Sequence, residues 1–204
     1  MKKVIYFIIA ALVLAACSAD RSSILKVYNW ADYIDEELLD EFEQWYLAET
    51  GEEVKIIYQT FDINETMLSK IELGHEDYDV VCPSDYIIER MLKNDLLLPL
   101  ERNFGETPDW IGNVSPYISA KFGEIEGLGK DARDYSVGYM WGTTGVLYNT
   151  RYVTKEEAAT WKVFHNEKFA KKIFIKDAFR DVYSTILVYL RQKELAEGTI
   201  TLDE

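Results

Sequence analysis

Three short segments of this 204-residue chain place carboxylates beside rings, hydroxyls or amides: Trp30-Ala31-Asp32-Tyr33, Phe61-Asp62-Ile63-Asn64 and Ser84-Asp85-Tyr86. A carboxylate next to an aromatic face is a receptor for an ammonium group. The carboxylate accepts a charge-assisted hydrogen bond, and each well-placed ring adds about 0.5–2 kcal/mol of cation–π attraction while packing on methylene groups. A plainer role also suits these residues. Asp32, Asp62 and Asp85 can serve as helix N-terminal carboxylates that favour the macrodipole, and Asp62 fits this best, while Trp30 and Tyr86 can be core. The receptor reading requires that the fold bring the three segments to one place.

The elements around them supply that requirement. Residues 24–28 form a short β-rich run, and residues 35–49 carry Leu38, Leu39, Phe42, Trp45 and Tyr46 on one face of an amphipathic helix that Gly51 stops. Residues 54–59 read as a second strand. Asn64 can cap a helix bearing Met67, Leu68 and Ile71 that ends at Gly74. Residues 78–82 read as a third strand broken by Pro83, after which Ser84 can cap a helix to about Lys93. The order β-α-β-α-β-α predicts a doubly wound α/β sheet. Ligands of such sheets sit beyond the carboxyl ends of the strands, and all three segments lie there.

The chain opens with Lys2 and Lys3, an apolar run over residues 4–14 and Ala15-Ala16 before Cys17. That is signal-peptide architecture, too short for a permanent span. Leu14-Ala15-Ala16-Cys17 resembles a bacterial lipobox, which makes Cys17 the lipidation site, residues 1–16 the leader and residues 17–23 the lipidated cysteine and its tether. Cys82 is then the remaining cysteine, expected to be a buried inert thiol, and the 48% apolar content suffices for a packed core without a disulfide. The formal net charge of −14 argues against nucleic acid and anionic lipid as partners and favours cations.

Enzymatic readings fare poorly. The chain has no Gly-x-Ser-x-Gly elbow, and His75 and His165 make no zinc cluster. Gly127-Leu128-Gly129-Lys130-Asp131-Ala132 follows charged residues and not a strand, so it reads as a loop and not a dinucleotide fingerprint. The expectation is no catalysis, no cofactor and no metal.

Beyond these features, Tyr28-Asn29-Trp30-Ala31-Asp32-Tyr33 resembles the opening motif of the periplasmic spermidine/putrescine-binding proteins. Further similar motifs follow in the family's order: Asn64-Glu65-Thr66-Met67, Tyr78-Asp79-Val80-Val81 leading to Pro83-Ser84-Asp85-Tyr86, Val137-Gly138-Tyr139-Met140-Trp141-Gly142-Thr143, and Asp177-Ala178-Phe179-Arg180-Asp181. Ala31 stands where the family usually has a hydroxyl residue, and Val137-Gly138-Tyr139 lacks the proline many relatives carry.

The resemblance implies a periplasmic-binding-protein-like (type II) two-lobed α/β fold. The first lobe would span residues 24–141, and residues 142–204 would hold the hinge crossover and a second lobe incomplete in this chain, which reads as a piece of a longer protein or one half of a split one. It also implies a lipid-anchored extracytoplasmic protein that holds polyamines in an acidic, aromatic inter-lobe cleft and delivers them to an ABC transporter permease. By resemblance, Trp30 stacks on the polyamine carbon chain, Asp32 faces an amino group and Tyr33 lines the pocket. Ser84, Asp85 and Tyr86 contact the ligand from the third strand's loop, and Asp177 and Asp181 supply further carboxylates. Their spacing of four would show both on one face of a helix starting near residue 177. The alternatives are another solute on the same scaffold, such as iron or thiamine, and a surface lipoprotein with an enzymatic or adhesive role.

Overall fold

The computed structural model of the chain describes residues 21–101 and 111–200. Cys17 and the leader lie outside the described residues. The chain divides into two compact units, Met1–Tyr139 and Met140–Glu204.

The first unit is built on a three-stranded parallel sheet. Strands β1 (Ile24–Trp30), β2 (Lys55–Phe61) and β3 (Val80–Val81) alternate with helices α1 (Glu37–Thr50), α2 (Asn64–Gly74) and α3 (Asp85–Lys93), followed by α4 (Pro116–Phe122). The spatial order is β2-β1-β3, so the chain leaves β1 on one side to form β2 and returns across it to form β3. β1 runs in register with β2 from Ile24↔Lys55 to Trp30↔Phe61 and with β3 at Val27↔Val80 and Tyr28↔Val81. The regular part of β3 is shorter than the expected 78–82, although Asp79 N–H to Lys26 O and Cys82 N–H to Tyr28 O, both 3.0 Å, continue its pairing.

The core lies where α2 and α3 cover one face of the sheet. Tyr28, Phe61, Met67, Leu68, Ile87 and Met91 form one buried cluster, with Trp30 and Tyr86 packed at its border. Full burial of an aliphatic side chain of this size stabilises by about 1.5–3 kcal/mol. α1 contributes no buried residue. It reaches the sheet through Glu43, whose carboxylate accepts from the Ile56 N–H at 2.8 Å and pairs with Lys55, and those bonds hold the carboxyl below its usual range. Gly51 takes the left-handed C-cap conformation at φ 75° and donates to Leu47 O, so α1 stops there as its sequence predicts.

Two expected caps differ. The N-cap of α2 is Ile63, and Asn64 lies inside the helix, 3% exposed. Ser84 does occupy the N-cap of α3, but its hydroxyl makes no bond to the helix start. Both side chains are engaged with each other instead.

In the second unit, the short turns Trp161–His165 and Glu167–Phe169 carry the buried Val163 and Phe169, and helices α5 (Phe179–Leu190) and α6 (Gln192–Ala196) contain no buried residue. No strand occurs among its described residues.

Candidate functional site

The order β2-β1-β3 makes the gap between β1 and β3 a topological switch point, where the following loops diverge and leave a crevice. The loop after β1 holds Trp30, Asp32 and Tyr33, and the loop after β3 holds Ser84, Asp85 and Tyr86. The parallel register carries Trp30 to the level of Pro83, so six of the expected ligand-binding residues share one rim.

Aromatic side chains run continuously from the core to that rim. Tyr28 meets Phe61 edge-on at 5.1 Å, Phe61 meets Trp30 at 4.7 Å, and Trp30 stacks on Tyr33 at 5.9 Å. Tyr28 and Trp30 lie two apart on β1 and so on the same sheet face. Tyr33 is 41% exposed and ends the row at solvent. Its carbonyl accepts a hydrogen bond of 2.8 Å from the Tyr139 hydroxyl, which ties the loop down.

Asp32 sits beside these rings with φ 61°, a left-handed conformation that costs a non-glycine residue energy although aspartate tolerates it better than most. It is exposed and makes no hydrogen bond or ion pair among the described residues. Asp85 differs. It opens α3, and its carboxylate accepts from the Tyr86 N–H at 2.8 Å, so it also fills the plainer helix-start role. Asp62 is exposed and carries no tie to the other rim residues.

The acidic group that does join the rim from beyond β2 is Glu65, which accepts from the Tyr86 hydroxyl at 3.1 Å. Next to it, the buried Asn64 amide donates to Ser84 Oγ and to Tyr86 Oη, both at 2.9 Å, and its oxygen accepts from the Ser84 N–H at 3.2 Å. A second buried amide, Asn29, accepts from the Trp30 N–H at 2.8 Å and donates to Tyr58 Oη at 3.2 Å. Burial pushes the Tyr58 hydroxyl above its usual range, against the pull of the Asn29 bond. Cys82, just before the β3 loop, is half-buried, and burial pushes its thiol up, as an inert thiol requires.

Residues 79–202 match the family described as Bacterial extracellular solute-binding protein. The chain belongs to that family. The chain also matches, over residues 1–18, the prokaryotic membrane lipoprotein lipid attachment site, within which Cys17 falls. It is 29% identical over 182 residues to the "Spermidine/putrescine-binding periplasmic protein" of Escherichia coli K12, an alignment that covers 87% of this chain and 47% of that relative. It is 31% identical over 176 residues to the "Putrescine-binding periplasmic protein PotF" of the same organism, covering 81% and 44%. Among solved structures, the spermidine/putrescine ABC transporter substrate-binding protein PotD from Streptococcus pneumoniae matches with a TM-score of 0.53 and 36% identity over 72% of this chain and 41% of that one. The fold is therefore the periplasmic-binding-protein-like α/β fold. The chain spans about half the length of the curated relatives it matches.

In the second unit, α5 begins at Phe179 after an extended Ala178, so Asp177 precedes the helix. The expected display of Asp177 and Asp181 on one helical face does not occur, because the backbone is not helical at Asp177. Asp177 is exposed, and Asp181 accepts from Lys176 Nζ at 2.9 Å in the first turn of α5.

Sequence reasoning gave Asn29, Glu65 and Tyr139 no part in building the rim, and gave Asn64, within the segment after β2, the role of a helix cap. For Asn64 and Glu65 the available signal was their position directly after a strand, the same signal that singled out Asp62.

Proposed function

We propose that the protein to which this chain belongs captures a small organic polycation of the spermidine or putrescine type outside the cytoplasm, tethered by lipid at Cys17, and hands it to an ABC importer permease. The role is binding without catalysis and without a cofactor. The observation that supports it is the rim itself, with Asp32 unpaired among the described residues beside the stacked Trp30 and Tyr33, facing a loop that presents Ser84 and Tyr86. A slender diamine or triamine needs that combination: rings along the methylenes and oxygen acceptors for each ammonium. The names of the relatives in Escherichia coli point to the same solutes. Trp30, Asp32, Tyr33, Ser84, Asp85 and Tyr86 form the proposed ligand set of the first unit. Asp177 and Asp181 of the second unit are further candidate ligands on the family resemblance alone.

Calorimetric titration with spermidine, putrescine, thiamine and ferric citrate tests this reading. Polyamine binding is expected to be saturable and weakened by added salt. Asp32→Asn should abolish it, and Trp30→Ala should weaken it by about 0.5–2 kcal/mol, the range of a cation–π contact. Heat from thiamine or iron with none from either polyamine would reject the proposal.

A further inference from the structure

We infer that Asn64 is a positioning residue that, with Glu65, fixes the Tyr86 hydroxyl at the rim so that its oxygen can only accept a bond from a solute, and so favours donors such as ammonium groups; this rests on the polyamine reading above. The orientation of the carboxamide follows from chemistry. A backbone N–H can only donate, so the Asn64 atom 3.2 Å from Ser84 N is the oxygen and the other atom is the NH2. That NH2 can only donate, which makes Ser84 Oγ and Tyr86 Oη acceptors at 2.9 Å each. Tyr86 must then direct its own hydrogen elsewhere, and the Glu65 carboxylate, an obligate acceptor, takes it at 3.1 Å.

Three rim side chains from two loops thus share one hydrogen-bond direction, set by an amide that is 3% exposed. A buried amide is costly unless satisfied, and the bonds of Asn64 to Ser84 and Tyr86 tie its geometry to that rim. Asn64 sits at the first position of α2, so the start of that helix fixes where the NH2 points.

Two readouts on the full chain test this, amide exchange without solute and calorimetry with spermidine. Without solute, Asn64→Ala should speed exchange at the Ser84 amide by about tenfold or more, while Asn64→Asp, which keeps an acceptor oxygen, should leave it near the wild-type rate. An unchanged rate in Asn64→Ala overturns the linkage. With spermidine, Asn64→Ala and Tyr86→Phe should each weaken binding about tenfold, and the double variant no further than the worse single one, because both act through one bond. Additive losses overturn the inference.

Asn64→Asp supplies the sharper discrimination and stands in if Asn64→Ala does not fold. Its second oxygen can only accept, so the Ser84 and Tyr86 hydroxyls donate to it and keep their lone pairs towards the rim, while Glu65 loses its donor. Spermidine binding should therefore stay within about threefold of wild type or tighten, in contrast to the loss in Asn64→Ala; a loss as large as that expected of Asn64→Ala would overturn the inference. If the wild-type chain gives no heat with spermidine or putrescine, the polyamine reading fails, and the Asn64 linkage is then decided by the solute-free exchange at Ser84.

Discussion

The two units of this chain use similar apolar sequence to different effect. In the first, β1 and β2 give α2 and α3 a surface to cover, and Met67, Leu68, Ile87 and Met91 are all at most 2% exposed. In the second, α5 carries a comparable share of apolar residues, yet Phe179 is 79% and Tyr183 54% exposed. Amphipathic patterning commits a segment to helix, but burial needs a facing layer, and among the described residues only the first unit has one. The rim is built where that layer is: its rings are the outer end of a packed aromatic row.

Equal truncations in the two units give the largest expected contrast. Met67→Ala should destabilise the first unit by about 2–5 kcal/mol, whereas Ile186→Ala in α5 should cost under about 1 kcal/mol, read by urea unfolding with probes in each unit. Similar losses would break the comparison. Amide exchange should show the same division without mutation, with Val27 and Tyr28 in the centre of β1 among the slowest amides and α5 exchanging faster by orders of magnitude. A smaller effect is expected at the edge of the first unit. Tyr139→Phe removes the bond to the Tyr33 carbonyl and should cost at most about 1 kcal/mol, while measurably increasing the mobility of Tyr33 in nuclear relaxation.

The smallest effect concerns Asp131, whose carboxylate is held down to about 2 by the side chain and N–H of Arg133. Because the folded value lies below the ordinary carboxylate range, any stability it adds is present above that range and fades as pH falls towards about 2. Its titration should move up towards the ordinary range in Arg133→Gln, which removes the side-chain bonds and keeps the one from the backbone N–H, checked by carboxyl carbon shifts.

Much of the first unit was legible in the sequence because its signals are local. Period-two and period-3.6 patterns marked β1, β2, α1 and α2 to within about two residues, and Gly51 marked a helix end that the structure keeps. The rim followed from one global rule, that ligands sit at the strand ends of open sheets. What was not legible depends on partners far along the chain. Asn64 has the composition of a cap, and only the arrival of Ser84, twenty residues later, turns its amide away from that role. The choice between Asp62 and Glu65 likewise depends on the reach of Tyr86. The start of α5 was placed two residues early, since the spacing of Asp177 and Asp181 suits a helix but an extended Ala178 intervenes.

The most direct test is a residue-resolved map of where a polyamine touches the chain. On titration with spermidine, resonance shifts should concentrate at Trp30, Asp32, Tyr33, Ser84 and Tyr86, led by the Trp30 indole N–H, and should vanish in Asp32→Asn. Saturable shifts confined to other residues, with those five unmoved, would contradict the account.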